Sequence, residues 1–323
     1  MENSRLLRPA LVTMELPGSR KRALMPDEAL CLISEIAEWG ADRFHFIASD
    51  RLSELDHRLI DYAAARRLAP VIELDPRYEV HRQDLLDLRK HSVKGVMLSI
   101  HSGKRAWHND VEGLEGAWDA ASRSLADAVV LKLPLMLRSR FLHTNMDSFR
   151  EVLELVKFSR CREWWIEFDA PHASLGAEDF EHFFADVVAA ATTEEIEIVL
   201  LEASHLIRYL DQHPELDTEG MWSRLSLVDC RSTLYLSAEG MVFPHRFCTI
   251  PAGDVRRKEL VPLLNTSSLF TSLRDSTLIG ASCSRCQYAD QCGGSRLRAY
   301  LRGGNMLGPD PGCRYSVGPL GSV

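Results

Sequence analysis

RFHFIASDRLSELDHRLIDYAAARRLAPVIEL is the sequence of residues 43–74. In it two short apolar segments, Arg43–Ala48 and Ala69–Leu74, flank a segment of helical periodicity, Ser53–Arg67. An amphipathic helix between two short apolar runs is typical of a βαβ unit, whose strands are parallel and buried. The stretch therefore predicts an α/β fold built on a parallel sheet.

The same alternation extends on both sides of this unit. The further predicted strands are Pro9–Leu16, Val93–Ile100, Ala128–Leu137, Glu163–Phe168 and Ile196–Glu202, and the further helices are Pro26–Trp39, Gln83–Lys90, Val111–Ser124, Met146–Phe158, Ala177–Ala190 and Ser204–Gln212. About six or seven such units are too few for an eight-stranded barrel and indicate an incomplete TIM barrel of the (βα)6 type. Functional groups are then expected at the carboxyl ends of the strands.

The composition changes after His213-Pro214, so we divide the chain into a partial barrel, residues 1–215, and a smaller domain, residues 216–323. A β-hairpin turning at Gly240 is predicted from three segments, Ser223–Val228, Thr233–Ser237 and Met241–Phe243. The rest of this domain is rich in loops, and a module with so small a core usually needs a metal to hold it together.

The composition of the whole chain limits the classes of partner. It has 323 residues, 46% of them hydrophobic and 26% charged, and a net charge of −8. A core can form, and an acidic chain is a poor partner for nucleic acid or an anionic membrane. Neither a membrane span nor a secretory signal is evident, so we expect a cytoplasmic protein.

Six of the eight cysteines lie between Cys230 and Cys313. In a reducing compartment such clustering favours a metal site over disulfides. The string Cys283-Ser-Arg-Cys286-Gln-Tyr-Ala-Asp-Gln-Cys292, followed by Cys313, supplies four thiolates. Four soft ligands select an iron–sulfur cluster or zinc over magnesium or calcium. The alternative is a set of unrelated buried cysteines, but Cys-x2-Cys with two further cysteines nearby favours the metal site.

The C-terminal part resembles the SPASM/twitch domain of radical S-adenosylmethionine (radical SAM) proteins, and is most similar to the haem-biosynthesis and peptide-maturation groups. The likeness rests on Leu273-Arg274-Asp275, the cysteine string, Arg296-Leu297-Arg298-Ala299-Tyr300 and Asp310-Pro311-Gly312-Cys313. More weakly, Met25–Gly40 and Leu98–Ser102 resemble elements of that family's partial barrel. The resemblance implies one 4Fe-4S cluster at Cys283, Cys286, Cys292 and Cys313, with zinc as the alternative.

Two further motifs of that family are missing. Its catalytic cluster needs Cys-x3-Cys-x2-Cys after the first strand, but residues 13–26 contain no cysteine. The nearest, Cys31, is expected to be a small core residue, as is Cys161. The Gly-Gly-Glu-Pro motif that contacts S-adenosylmethionine corresponds here to Ala48-Ser49-Asp50-Arg51, in which Asp50 keeps only the acidic character. The resemblance therefore implies a degenerate member, without radical SAM chemistry and without S-adenosylmethionine as its expected cofactor.

The family's other auxiliary cluster is also incomplete in this chain. Cys230 remains, but His245 and Ser295 stand where the family has cysteines, and Cys248 is a possible substitute. We therefore expect Cys230, His245 and Cys248 to be a remnant site.

Candidates for other chemistry are His101, at the end of a predicted strand, and Glu167, Asp169 and His172, at or just after another. Imidazoles and carboxylates at strand ends can bind metal or transfer protons. The plainer interpretation is that they are solvated loop residues or remnants of the family's site.

These observations favour a non-catalytic partner or scaffold in a biosynthetic pathway that matures a peptide or a cofactor. Its expected partner is an enzyme or a peptide, and neither nucleic acid nor membrane. One alternative is an enzyme with repurposed barrel-mouth chemistry, binding a peptide or a haem-like tetrapyrrole through His101, His172 or His245. Another is an atypical radical SAM enzyme.

Overall fold

The computed structural model describes residues 9–18, 20–77, 80–170 and 173–315. Its strands are β1 (Leu11–Glu15), β2 (Phe44–Ala48), β3 (Val71–Leu74), β4 (Gly95–Ser99), β5 (Leu135–Arg140), β6 (Glu163–Glu167), β7 (Asp169–Ala170), β8 (Ala173–Ser174), β9 (Glu197–Leu201), β10 (Leu225–Val228), β11 (Thr233–Leu236), β12 (Met241–Phe243) and β13 (Gly253–Asp254).

The α-helices alternate with these strands through most of the chain. They are α1 (Pro26–Trp39), α2 (Glu54–Ala65), α3 (Arg82–Leu88), α4 (Arg105–Glu112), α5 (Ala117–Val130), α6 (Phe149–Phe158), α7 (Ala177–Thr193), α8 (Leu206–Gln212), α9 (Glu219–Trp222), α10 (Leu260–Thr266), α11 (Ser268–Arg274), α12 (Ala281–Ser284) and α13 (Arg296–Gly303). Among the described residues, no helix has both the length and the apolar character needed to cross a membrane.

Local sequence explains where the early helices begin and end. Pro26 opens α1, the Glu28 carboxylate accepts the backbone N–H of Met25 at 2.7 Å, and Gly40 ends the helix with φ at 86°. At α2 the Ser53 hydroxyl accepts the N–H of Asp56 at 3.2 Å, and the Asp56 carboxylate accepts the N–H of Ser53 at 2.8 Å. Both helices therefore begin at sequence signals that can be recognised without a structure.

Contacts divide the chain into two compact units. Unit 1 contains the described residues up to Ser99, Gly116–Met136 and Ser232–Thr271. Unit 2 contains Ile100–Glu115, Leu137–Arg231 and the described residues from Ser272 onward. Because each unit combines separate parts of the sequence, neither corresponds to the division between residues 215 and 216, and that division stays a prediction.

In unit 1 the strands lie in the order β4-β3-β2-β1-β11-β12-β13. Pairing is parallel from β4 to β11 and antiparallel from β11 to β13. The predicted hairpin of β11 and β12 with its turn at Gly240 is present, and Gly240 has φ at 87°. Its first strand also extends the parallel sheet, since Leu11 lies beside Thr233.

In unit 2 strands β6, β9 and β10 are parallel and adjacent in that order. The expectation that residues 223–228 belong to the hairpin was wrong, because Leu225–Val228 pairs with Ile198–Leu201 as a further parallel strand. An apolar run of this length fits a hairpin strand as well as a parallel strand, and only its pairing with a strand earlier in the chain distinguishes the two.

Two further expectations were wrong. The helix predicted at 111–124 is two helices, separated by Gly113 and Gly116 with φ at 66° and 81°, and the second continues to Val130 where a strand was predicted. Cys161 is buried as expected, but Cys31 is exposed, because it lies on the outer face of α1.

Candidate metal centre

The four cysteines of the predicted quartet line one cavity within unit 2. The cavity has a volume of about 20 Å³, opens to solvent, and is lined by Cys283, Cys286, Cys292 and Cys313. Three of them are buried and Cys286 is half-buried. Within the described residues, no group of three or more His, Cys, Asp or Glu side chains is arranged to hold a metal ion. The quartet therefore shares a cavity without converging on one point.

Backbone geometry brings the cysteines to this cavity. The N–H of Cys286 donates to the carbonyl of Cys283 at 3.3 Å, which closes the turn of the Cys-x2-Cys pair. After Cys292 the chain passes through Gly293 and Gly294, with φ at 60° and 66°, a backbone region that favours glycine. The N–H of Gly294 donates to the Sγ of Cys292 at 3.3 Å, the kind of bond that stabilises a thiolate ligand.

Arg296 extends from the first turn of α13 toward the same cavity, and its side chain is completely buried. Nη1 donates to the carbonyls of Met306 and Gly308 at 3.1 and 2.7 Å, and Nε donates to the carbonyl of Gly294 at 3.3 Å. Nη2 donates to the Sγ of Cys283 at 3.9 Å. A Cβ on Gly294 would lie 2.8 Å from Nη2, so this glycine leaves the space that the guanidinium fills. A buried cation directed at a thiol fits an anionic group bound by the quartet.

Arg298, two residues further along α13, is equally buried but lies in a different environment. Its Nε and Nη2 donate to the two carboxylate oxygens of Asp310 at 2.7 and 3.1 Å, and its Nη1 donates to Asp169 at 3.1 Å. Its Nη2 also donates to the carbonyl of Glu202 at 3.0 Å. Arg298 therefore holds the cysteine-bearing segment to residues that follow β6 and β9.

The two carboxylates beside Arg298 differ in pKa. Asp310 also accepts the N–H groups of Ser295 and Gly312 at 2.7 and 2.9 Å, and although burial opposes it, the charge of Arg298 holds the pKa of Asp310 well below its usual range. Asp169 lacks these additional donors, and burial raises its pKa to about 6 despite the opposing charge of Arg298. One guanidinium is therefore shared by a firmly ionised carboxylate and one that takes up a proton near neutrality.

Ser295 is occupied by hydrogen bonds inside unit 2. Its hydroxyl donates to Glu202 Oε2 at 2.7 Å and accepts the N–H of Arg298 at 2.9 Å as the N-cap of α13. The other oxygen of Glu202 accepts the N–H of Cys230 at 2.6 Å. Burial, followed by the charge of Asp229, raises the pKa of Glu202 to about 7. Ser295 and Cys230 are thus joined through a carboxylate.

The remaining members of the predicted remnant site, His245 and Cys248, belong to unit 1 and are buried. His245 Nδ1 accepts the N–H of Phe247 at 3.2 Å, and the Cys248 thiol donates to the carbonyl of Ile250 at 3.6 Å. Burial raises the pKa of the Cys248 thiol, as it raises that of Cys292 in the quartet to about 12. Each of these two hydrogen bonds joins residues two apart in sequence, so they stabilise the local turn.

The strand-end candidates for catalysis in unit 2 are buried, so the expectation of solvated loop residues was wrong for His101, Glu167 and Asp169. Nδ1 of His101 accepts the N–H of Arg140 at 2.9 Å, so its ring proton lies on Nε2, which donates to Glu112. Burial lowers the pKa of His101. Both ring nitrogens are therefore in use, as in a structural histidine.

Glu167 is similarly occupied by neighbouring cations. Its two oxygens lie 3.2 Å from Arg138 Nε and 3.2 Å from Arg140 Nη2. His172 lies outside the described residues.

In unit 1 the loop after β1 bonds to residues at the ends of β1 and β2. Arg20 Nη1 donates to Glu15 at 2.6 Å, and Nη2 donates to the Ser49 hydroxyl at 3.4 Å. Gly18 has φ at 54°, and a Cβ there would lie 2.7 Å from Asp50. The chain's own polar groups thus occupy these strand ends, and Asp50, the one candidate for S-adenosylmethionine binding, is packed against the loop.

A buried polar group in unit 1 was missed from the sequence. His45 Nδ1 lies 2.7 Å from Glu73 Oε1, and Arg246 Nη1 lies 3.6 Å from Glu73 Oε2. The signal was a lone ionisable residue within each of the apolar strands FHFIA and VIEL. Arg296 and Arg298 were quoted only as part of a motif, because nothing local reveals which distant groups they contact.

Comparisons with known proteins give this geometry a context. No family model matches the chain. The AdoMet-dependent heme synthase of Methanosarcina barkeri is 23% identical over 313 residues, which cover 91% of this chain and 88% of that protein.

Among solved structures, Streptococcus suis SuiB bound to S-adenosylmethionine has a TM-score of 0.68 at 11% identity, covering 95% of this chain and 77% of SuiB. SuiB bound to its precursor peptide SuiA has a TM-score of 0.65 at 11% identity, covering 90% of this chain and 72% of SuiB. The fold is therefore that of SPASM-type radical SAM proteins, an α/β fold with an incomplete barrel, and the chain is related to that family.

Proposed function

We propose that this protein is a radical-SAM-related iron–sulfur protein that holds one 4Fe-4S cluster through Cys283, Cys286, Cys292 and Cys313. The observation that carries the proposal is the placement of all four thiols around one cavity, beside a buried guanidinium. Zinc would draw four thiolates to within about 2.3 Å of one point, whereas each iron of a cluster takes its own thiolate. Four thiols suit either group as donors, and the resemblance carried by the cysteine string favours the cluster, which when bound would supply one-electron transfer or a structural link.

We further propose that radical SAM cleavage of S-adenosylmethionine has been lost. The strand-end loop has no cysteine, and Arg20 crosses the ends of β1 and β2 through Glu15 and Ser49. S-adenosylmethionine and a second cluster would have to displace these bonds. This supports the absence of both from unit 1.

The role that follows is that of a non-catalytic partner in a biosynthetic pathway. The curated relative is named a heme synthase, and a structural neighbour holds a precursor peptide. A protein that keeps this fold and one cluster suits two tasks, presenting a peptide or tetrapyrrole precursor to an active enzyme and exchanging electrons with it.

Anaerobic purification followed by metal analysis tests the cluster. We expect about four iron and four sulfide per chain and no 5′-deoxyadenosine when S-adenosylmethionine and dithionite are added. Zinc in place of iron would overturn the cluster assignment. Formation of 5′-deoxyadenosine would instead identify an atypical radical SAM enzyme. Failure to co-purify with any enzyme of its pathway would count against the partner role alone.

A second candidate is an enzyme with repurposed chemistry, and the polar group of His45, Glu73 and Arg246 favours it. An imidazole hydrogen-bonded to a carboxylate is a common arrangement for acid–base work. Turnover that is independent of S-adenosylmethionine and abolished by His45→Gln would support this candidate. Wild-type protein inactive on peptide and tetrapyrrole precursors alike would oppose it.

A further inference from the structure

The two buried arginines of α13 differ in how their charges are balanced. Arg298 is bonded to the carboxylates of Asp310 and Asp169, and the ion pairs are 2.7 and 3.1 Å long. Arg296 is equally buried and forms no ion pair with a described carboxylate, although Asp310, which is bonded to Arg298, lies nearby: a Cβ on Gly294 would be 2.8 Å from Arg296 Nη2 and 3.4 Å from Asp310 Oδ2. Its donors go to three backbone carbonyls and to the thiol of Cys283.

A buried charge whose nearest carboxylate is already paired with another cation is unfavourable, since carbonyl dipoles replace only part of the water that the ion has lost. Such a cation is expected to face an anion. The group toward which its remaining donor points is Cys283, and the cavity beyond Cys283 is lined by three more thiols. When they ligate a cluster, these four thiols lose their protons and supply negative charge at that place.

We propose that Arg296 is a positioning residue that balances the negative charge of the thiolate-bound iron–sulfur cluster through Cys283 and raises the cluster's reduction potential. The inference rests on the cluster assigned under the proposed function. Reduction adds one negative charge to the site, so a fixed, desolvated cation stabilises the reduced form more than the oxidised form. The hydrogen bond from Nη2 to a ligand sulfur acts in the same direction.

The test is a redox titration of the reconstituted whole protein, in which dithionite gives one electron to each cluster and ferricyanide takes it back. Arg296→Gln removes the charge, and Arg296→Lys keeps it without the forked donors. The matched control is Arg285→Gln, because Arg285 lies between two of the cysteines in sequence but is exposed to water. We expect Arg296→Gln to shift the equilibrium toward the oxidised cluster at least tenfold, equivalent to about 59 mV more negative. Arg296→Lys should shift the equilibrium between oxidised and reduced cluster less than Arg296→Gln does. Arg285→Gln should shift it by less than about twofold, because water screens the charge of Arg285.

A second measurement separates charge balance from a purely structural role. Loading the cluster should raise the melting temperature of the wild type more than that of Arg296→Gln, since only the wild type has a buried cation for the cluster to neutralise. If Arg296 had only a structural role, Arg296→Gln would lower the melting temperature equally with and without the cluster. The rise in melting temperature on loading would then be the same as in the wild type, which would overturn the inference. An Arg296→Gln protein whose cluster has the same reduction potential as that of the wild type would overturn the inference as well.

Whether each protein takes up the cluster at all also tests the inference. Loading by Arg296→Lys but not by Arg296→Gln supports the role of the charge, whereas loading by neither variant assigns Arg296 a structural role and overturns the inference. Wild-type protein without iron and sulfide overturns the proposed cluster, and the inference with it. Wild-type protein with a cluster whose potential is indifferent to Arg296 overturns the inference alone.

Discussion

The cysteine cavity of unit 2 and the strand-end loop of unit 1 differ in the side chains that they bring together. In the first, four thiols share a cavity beside a buried arginine. In the second, no cysteine remains and Arg20 bonds to Glu15 and Ser49. In the first region a buried guanidinium donates to the thiol of Cys283, whereas in the second the polar side chains bond to one another. Under the proposed function, this difference separates a region that holds a cluster from one that has lost its cofactors.

Replacing a cysteine of the quartet should have the largest effect. Cys292→Ser is expected to abolish cluster binding, because a hydroxyl is a poor substitute for a thiolate ligand of iron. Iron and sulfide analysis after anaerobic reconstitution measures this. Cys248→Ser, a buried cysteine of unit 1, is the matched control and should keep the full iron content. Loss of iron in the control would show that the predicted remnant site still binds metal, and the contrast between the regions would then fail.

Removing Arg298 tests the support beneath the cavity. Arg298→Met leaves Asp310 and Asp169 buried without their cation, which should cost about 3–5 kcal/mol of unfolding free energy. Urea denaturation measures the change. Arg302→Met, on the exposed side of the same helix, should stay within about 0.5 kcal/mol of wild type. If Arg298→Met lost little unfolding free energy, the ion pairs of Arg298 with Asp310 and Asp169 would not be what holds the cysteine segment in place.

The Asp169 carboxyl should make stability depend on pH. Burial raises its pKa to about 6, so the folded state holds the proton more tightly than the unfolded state. The resulting stabilisation is complete below the ordinary aspartate pKa and is lost as pH rises through about 6, with a total of up to about 3 kcal/mol. Unfolding free energies measured from pH 4 to pH 8 should show this fall.

Asp169→Asn should remove that part of the pH dependence, since an amide does not titrate. Asp147→Asn, an exposed residue in unit 2, is the control and should leave the curve unchanged. If the unfolding free energy fell equally with pH in the wild type and in Asp169→Asn, another group would be responsible for the pH dependence.

The strand-end loop should give the smallest effect. Arg20 is about a third exposed, so Arg20→Gln is expected to cost about 0.5 kcal/mol, as for other partly solvated ion pairs. Arg22→Gln, an exposed neighbour, should cost less. Calorimetry should detect no S-adenosylmethionine binding by either variant. Binding that appears only in Arg20→Gln would show that a pocket survives beneath Arg20, and would narrow the difference between the two regions.

Much of the fold could be predicted because its signals are local. The helix Pro26–Trp39 was placed at both ends, since Pro26 and Gly40 mark its limits in the sequence. The spacing of the cysteines predicted a shared site, and the structure brings all four to one cavity, although metal binding itself stays a prediction. The first strand of the second domain was assigned wrongly, because its partner lies earlier in the chain at Ile198–Leu201.

The surroundings of the site could not be predicted, because they depend on distant pairs. Arg298 and Asp169 are 129 residues apart, and Ser295 and Glu202 are 93 apart. No periodicity or spacing reveals such contacts. The sequence identified the thiols, and the three-dimensional structure identifies the charges that lie around them.

The 129-residue span between Asp169 and Arg298 also bears on how the protein is made. During translation Asp169 emerges from the ribosome well before its partner. Until Arg298 and Asp310 have also emerged, the polar interior of unit 2 lacks the ion pairs that neutralise it. Long-range closure of this kind is slow and leaves incomplete chains open to aggregation. Cofactor insertion is therefore expected to follow the emergence of Asp310, and a nascent protein stalled before that residue is a natural substrate for chaperones.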